Sequence, residues 1–121
     1  MANTFKVVTF AAEPNASGTP YVMYTAASST TTVVLGLILS NIHTSQVTAT
    51  VRLVSDTANR AVTNNTANGT SVIVKDVPIP VGGSLELMAG NKVVLETTDR
   101  ITIDCSVADK LSGTLSIMEI T

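Results

Sequence analysis

Alternation of apolar and polar residues over short segments most constrains how this chain can fold. It is clearest in Gln46–Val54, where the apolar positions are Val47, Ala49, Val51 and Leu53 and the polar positions are Thr48, Thr50 and Arg52. Successive residues of a β-strand point to opposite faces of the sheet, so this segment predicts a strand with one packed face and one hydroxyl-coated face. The branched Cβ of threonine also suits a pleated strand.

Short apolar segments of this kind recur along the chain, with turn residues between them. They are Phe5–Phe10, Tyr21–Thr25, Thr30–Ser40, Gln46–Val54, Ser71–Val77, Ser84–Met88, Lys92–Glu96, Ile101–Val107 and Gly113–Ile120. About eight short strands at this spacing predict an all-β fold, an antiparallel β-sandwich that is jelly-roll-like. The length of 121 residues predicts one domain over residues 1–121.

Glycines mark the expected irregularities of these strands. Gly36 lies inside the longest apolar segment, where it predicts a bulge or a close backbone approach. The pair Gly90–Asn91 predicts a tight hairpin between the segments on either side of it. The run Val81–Leu85 contains two glycines but lacks the lysine and the helix of a phosphate-binding loop, so we interpret it as a hairpin turn.

The last strand breaks the alternation. Leu115 and Ile117 share a face with Glu119, whereas Met118 and Ile120 take the other face. This pattern predicts either a bulge in the strand or a strand that is covered on both sides.

The composition indicates a chain that expects protein neighbours. Charged residues make up 13% of the sequence, against ~25% in an ordinary soluble domain. Hydrophobic residues reach 45%, and the mean hydropathy is +0.38. Since charge is depleted at the centres of protein–protein interfaces, we interpret the chain as a subunit of a larger assembly.

Charge and hydropathy also argue against two other classes of partner. The net charge is −2, the few lysines and arginines are scattered, and aromatic residues are rare, so no nucleic-acid partner is expected. The longest apolar run, Val33–Leu39, is far shorter than the ~20 residues of a membrane helix, so no membrane insertion is expected. The N-terminus has no signal-peptide pattern, which predicts synthesis in the cytoplasm.

Residues that could carry chemistry are few. His43 is the one histidine and lies in a polar connection, and Cys105 is the one cysteine and lies in an apolar run. Glu96, Asp99 and Asp104 lack the spacing of a calcium loop, and we interpret them as turn and surface residues. No nucleophile elbow or metal-ligand cluster is present, so the sequence predicts a non-enzymatic protein without catalytic residues, cofactor or metal.

The segment Ser55–Thr70 predicts a long polar loop. Loops longer than ~12–15 residues are uncommon unless they are functional or disordered. We therefore predict that this loop contacts a partner. Its candidate contact residues are Asp56, Asn59, Arg60, Asn64, Asn65 and Asn68. Arg60 is the one cation among them, which makes it the candidate anchor.

A family resemblance appears in the second half of the chain. The run Val72–Leu87 contains Val-Pro-Ile-Pro-Val-Gly-Gly-Ser-Leu, Gly90–Glu96 reads Gly-Asn-Lys-Val-Val-Leu-Glu, Asp99–Ile101 follows, and Leu115–Thr121 reads Leu-Ser-Ile-Met-Glu-Ile-Thr. This cadence resembles that of small β-sandwich structural proteins in the virions of tailed bacteriophages, including phages of marine and cyanobacterial hosts. The segments Val33–Leu39 and Asn41–Leu53 fit more loosely.

The resemblance implies a virion component. The expected role is a capsid decoration or cement protein that docks on the major capsid protein and stabilises the particle, with a neck, tail or baseplate subunit as the alternative. A homo-oligomer that hides the edges of the sheets is also expected, with a trimer as its expected form. A tail-tip module that binds a glycan or receptor is a further alternative, although Tyr21 and Tyr24, three residues apart in a strand, are expected on opposite faces.

Overall fold

The structure is a computed structural model, and it describes residues 2–55, 69–87 and 92–121. Nine strands form within these residues, and the predicted all-β sandwich is confirmed. They are β1 (Asn3–Phe10), β2 (Tyr21–Thr25), β3 (Thr31–Asn41), β4 (Val47–Val54), β5 (Thr70–Ile79), β6 (Ser84–Leu87), β7 (Val93–Leu95), β8 (Arg100–Cys105) and β9 (Leu111–Ile120).

The strands form two antiparallel sheets with jelly-roll connectivity. In sheet A the order is β1-β9-β3-β6, and β7 also pairs with β3. In sheet B the order is β2-β8-β4-β5. The pairs are nested along the chain, since β1 pairs with β9, β2 with β8, β3 with β6 and β7, and β4 with β5. This is the arrangement of a jelly roll, in which the chain crosses between two packed sheets.

The residues of the expected hairpin, Gly90–Asn91, lie outside the described residues, and the described strands on either side of them, β6 and β7, do not pair with each other. Both strands run antiparallel to β3, along the same edge. Leu37–Ser40 pairs with β6, whereas Thr32–Val34 pairs with β7. At eleven residues, β3 is long enough to hold both partners in succession.

The turn at Pro80–Gly83 connects the two sheets and is not the hairpin turn expected there. The backbone N–H of Gly83 donates to the carbonyl of Pro80 at 2.9 Å, which closes a tight turn. Gly82 has a φ of 72°, a left-handed conformation that suits glycine at the third position of such a turn. Because β5 belongs to sheet B and β6 to sheet A, the turn carries the chain across the sandwich.

The core lies between the sheets and is built from the inward-facing residues of both. The alternation predicted for β4 is confirmed, since Val47, Ala49 and Val51 are buried and pack in this core. The largest fully buried apolar side chains are Leu37, Leu39, Ile79, Leu95, Ile101, Ile103, Leu111, Leu115, Ile117, Val34 and Val47. Because the core fills the space between the two sheets, each strand needs an apolar face only on the side that points to the opposite sheet.

The bulge considered for the last strand, β9, lies instead in the neighbouring strand β3. The pairing of β9 with β1 is regular, whereas its pairing with β3 shifts between Val34 and Gly36. The bulge predicted at Gly36 is therefore confirmed, and it re-registers β3 against β9. Leu115 and Ile117 face the core, and Met118 faces outward between β1 and β3.

Candidate functional site

The solvent-facing side of sheet A carries a row of apolar residues that crosses four strands. Phe5 on β1 pairs with Met118 on β9, Met118 pairs with Val33 on β3, and Val33 pairs with Val94 on β7. We call these four residues the apolar row. Their chain neighbours Thr32, Val34 and Ile117 are buried, so period-2 alternation places the row on the outer face.

The outer face of sheet A exposes much of its apolar surface. The side chains of Phe5, Val7 and Val94 are 72%, 63% and 54% exposed. Of the eight large hydrophobic side chains that the described residues expose, four lie on this face, the fourth being Ile38. Contiguous exposed apolar surface of this kind marks protein interaction sites on soluble proteins.

A cup lies beside the apolar row, at the bulge of β3. Gly36 forms its floor, because a side chain at this position would point into open space. The outward residues Ile38, Glu86, Thr114 and Ser116 contribute its walls, and the volume is about 280 Å³. A cavity of ~150 Å³ can hold a benzene ring, so the cup has room for an inserted aromatic side chain.

The outer face of sheet B is polar, and its groups satisfy one another. Thr50 is only 3% exposed. Its hydroxyl accepts the backbone N–H of Asp76 at 2.9 Å and lies 3.3 Å from the carboxylate of the same residue. The carboxylate of Asp104, which pairs with Thr50 across the strands, accepts the backbone N–H of Gly18. Thr102 differs, because its hydroxyl is buried with no hydrogen-bond partner in the described structure.

One polar network joins the two sheets. The carboxylate of Glu119 on β9 accepts the Tyr24 hydroxyl at 2.6 Å and pairs with the Lys6 ammonium at 2.7 Å. The Tyr24 hydroxyl is also 2.8 Å from that of Thr32. Hydrogen bonding to Lys6, and secondly to Tyr24, lowers the pKa of Glu119. Burial, and secondly the carboxylate of Glu119, raises the pKa of Tyr24 to about 12, which keeps its proton in place as a donor.

The expectation that Tyr21 and Tyr24 face opposite sides of β2 is wrong. Tyr21 pairs with Ile103 and Tyr24 with Ile101, with a register shift between Val22 and Tyr24. The shift adds one residue, so both tyrosines pack against the core. The Tyr21 ring meets the Phe10 ring edge-on, with centroids 5.4 Å apart.

Two buried titratable groups lie near the start of β9. Glu13 is fully buried, accepts the backbone N–H of Asn15 at 2.8 Å with one carboxylate oxygen, and has no hydrogen-bond partner for the other oxygen in the described structure. Burial raises the pKa of this carboxyl group. Cys105 is buried in the core, as its apolar surroundings in sequence indicate, and burial raises the pKa of its thiol. A thiol with a raised pKa is a poor nucleophile.

The other residues considered for chemistry are dispersed. His43 lies in the connection between β3 and β4, where its backbone N–H donates to the Asn41 side chain at 2.7 Å. Asp99 belongs to a turn, as expected, but it is buried and not a surface residue, because its carboxylate accepts the backbone N–H of Glu96. Within residues 2–55, 69–87 and 92–121, no three histidine, cysteine, aspartate or glutamate side chains are grouped to hold a metal ion.

The predicted contact loop lies outside the described residues. This applies to its six candidates, Asp56, Asn59, Arg60, Asn64, Asn65 and Asn68. The outer face of sheet A was missed by the sequence reasoning. Its signal is the loose alternation of Phe5–Phe10, in which apolar residues occur at both parities. Of these apolar residues, only the outward Phe5 and Val7 remain exposed.

Comparison with protein-family models, with curated proteins and with solved structures found no match. In the part of the chain that the structure describes, no helix has the length and apolar character needed to cross a bilayer.

Proposed function

We propose that this protein is a non-enzymatic structural subunit of a tailed-phage virion, a capsid decoration protein that docks on the major capsid protein and stabilises the particle. The observation that carries the proposal is the outer face of sheet A, where Phe5, Met118, Val33 and Val94 form a continuous apolar row. An apolar sheet face of this extent is stable in an assembly, where another protein surface excludes water from it.

Three further properties support an assembly subunit. The jelly roll is a fold of many capsid proteins. The low charge content, 13% of residues, matches the depletion of charge at interface centres. The resemblance in Val72–Leu87 and Leu115–Thr121 supports the virion of a tailed phage as the assembly. The polar loop Ser55–Thr70, with Arg60 as its anchor, remains the predicted contact with the capsid protein.

Immunogold labelling of purified phage particles with an antibody against this chain tests the placement. Label spread over the head is the expected result. Label confined to the neck, tail or baseplate would replace the decoration role by the alternative placement and would renew the case for receptor binding. Particles from a phage that lacks the gene control for the specificity of the antibody, and wild-type particles without label would contradict the proposal.

A binding assay tests the docking partner. Purified protein added to heads from the gene-deleted phage should bind and should raise the temperature at which the heads release DNA. Arg60→Ala combined with a shortened Ser55–Thr70 loop should weaken this binding, whereas Lys75→Ala, which removes an exposed cation elsewhere on sheet B, should leave it unchanged. Unchanged binding of the loop variant would remove the loop from the contact.

A further inference from the structure

We infer that the outer face of sheet A binds a second copy of this chain, with Phe5 of each copy inserted into the Gly36 cup of the other. This inference concerns the chain alone and does not depend on the virion placement. The second copy is the protein surface that covers the face, and the capsid protein contacts the pair elsewhere. It is based on two features of the outer face of sheet A. Phe5, the most exposed large apolar side chain among the described residues, and the cup at Gly36 lie on the same face.

The geometry of the face permits both insertions at once. Phe5 lies on β1 and Gly36 on β3, with β9 between them, so the two positions are about 10 Å apart across the sheet. They are also offset by one row along the strands, since Phe5 pairs with Met118 and Gly36 with Ser116. A two-fold axis in the plane of the interface, midway between the two positions, exchanges them, so each aromatic ring meets the partner's cup.

The extent of the face is sufficient for a weak to moderate dimer. The face is four strands wide, since β6 and β7 follow one another along β3. With about 4.8 Å between strands and about eight residues in each strand position, it covers about 500 Å² per copy and about 1,000 Å² in the pair. A specific interface needs at least about that area. The charged residues of the face, Glu86, Lys92 and Glu96, belong to its β6–β7 margin, which leaves the apolar row uncharged.

The edges of the sheets are less suited to self-association than the face. On edge strand β1, Lys6 has inward parity and pairs with Glu119, and inward charges on an edge strand oppose pairing with another strand. On edge strand β5, Pro78 lacks a backbone N–H and Asp76 sits in a register shift with φ of 50°. The strands β6 and β7 are only four and three residues long.

Sedimentation equilibrium of the purified chain over a range of concentrations tests the inference. The wild-type chain should form a dimer, and not the trimer expected from the sequence. Phe5→Asp removes both inserted rings of the symmetric dimer, about 2 kcal/mol each, and should weaken the dimer by about 1,000-fold. A monomeric or trimeric wild-type chain would overturn the inference.

Gly36→Leu provides the decisive variant, because it fills the cup without crowding the monomer. A side chain at position 36 meets open space, and the backbone there has no positive φ. This variant should keep the circular dichroism spectrum of the wild type and should weaken the dimer as Phe5→Asp does. Dimers that survive the filled cup would refute the insertion.

Val22→Asp serves as the matched control, since Val22 is exposed on the outer face of sheet B, on edge strand β2. It introduces the same charge on the opposite side of the molecule and should leave the dimer unchanged. Loss of the dimer in all three variants would contradict a contact restricted to sheet A.

Discussion

The two outer faces of this sandwich have opposite characters although the two sheets share one core. The outer face of sheet B closes its polar groups on itself, as Thr50 does with Asp76 and as Asp104 does with Gly18. The outer face of sheet A presents apolar side chains and an open cup, with Phe5 72% exposed. These polar groups of sheet B are bonded within a single copy, whereas the outer face of sheet A has the surface properties of an interface. Exposed apolar surface therefore distinguishes the faces. Phe5, Val7, Ile38 and Val94 are exposed on sheet A, against Val22 and Val72 on sheet B.

The largest expected change in stability comes from a comparison of a glycine on the inner side of sheet A with a glycine on its outer side. Gly113 pairs directly with Phe10, and a Cβ at Gly113 would overlap the Phe10 ring. Gly113→Ala should lower the free energy of unfolding by about 3 kcal/mol, because the core must shift to relieve the overlap. Urea unfolding monitored by circular dichroism measures it.

Gly36→Ala is the matched control in the neighbouring strand. A Cβ there meets open space, so this variant should be unchanged or more stable by about 0.5 kcal/mol, because alanine restricts the unfolded chain. Equal losses at the two glycines would show that the outer face of sheet A is packed as tightly as its inner side.

The same substitution on the two outer faces tests the comparison directly. Thr50→Val removes the acceptor of the Asp76 backbone N–H and should lower the free energy of unfolding by about 2 kcal/mol. Thr114→Val, on the wall of the Gly36 cup, should change it by less than about 0.5 kcal/mol. The comparison fails if both variants lose equally in urea unfolding.

Substitution of Thr102, also on the outer face of sheet B, should change the free energy of unfolding in the opposite direction. Its hydroxyl is buried without a partner, so it loses its hydration on folding and gains no hydrogen bond in return. Thr102→Val should therefore raise the free energy of unfolding by about 1 kcal/mol. A higher melting temperature in calorimetry is the expected observation. A loss of stability would mean that this hydroxyl does find a partner and that sheet B is more fully satisfied than described.

The smallest expected effects are changes of stability with pH, and they do not involve the outer face of either sheet. The pKa of Glu119 is lowered from its ordinary value of 4.5, so its contribution to stability is present above pH 4.5 and is lost as the pH falls through the folded-state pKa. The pKa of Glu13 is raised from 4.5, so its contribution is present below pH 4.5 and is lost as the pH rises through the folded-state pKa.

Urea unfolding at several pH values, with Glu119→Gln and Glu13→Gln, measures the two contributions. The stability advantage of the wild type over Glu119→Gln should shrink in acid, whereas its advantage over Glu13→Gln should shrink as the pH rises. Parallel pH profiles for the wild type and a variant would show that the group in question does not titrate as its surroundings indicate.

The sequence predicted the strands because their inward residues follow the period of a sheet, as in Val47, Ala49 and Val51. It did not predict which strands pair, and β6 and β7 show why. Their apolar residues need a partner strand, but a hairpin partner and the long strand β3 satisfy that need equally well. Strand identity is local information, whereas strand pairing is settled by contacts between distant segments.

The surface features were less accessible from sequence than the core. In Tyr21–Thr25 nearly every residue is apolar, so no alternation reveals the shift that turns Tyr24 inward. Phe5 and Val8 both look like core residues in sequence, and only the face of sheet A to which each points separates them, since Val8 packs against the core and Phe5 is exposed. Thr50 is buried because Asp76, distant in sequence, donates its backbone N–H to it. The site therefore depends on long-range geometry, which single-strand patterns do not contain.

The nested pairing of the strands has a consequence for how the chain folds. The pair β4–β5 closes the shortest stretch of chain, and each pair outside it joins residues farther apart, ending with Asn3 and Ile120 in β1–β9. Once an inner pair has formed, the effective loop closed by the next pair is shorter, so assembly from β4–β5 outward has the lowest entropic barrier. Ala2 and Thr121 exchange two backbone hydrogen bonds at the end of that series. A circular permutant that joins these two residues through a short linker and opens the chain within residues 56–68 would reverse the hierarchy, because β1–β9 would become the most local pair and β4–β5 the most distant.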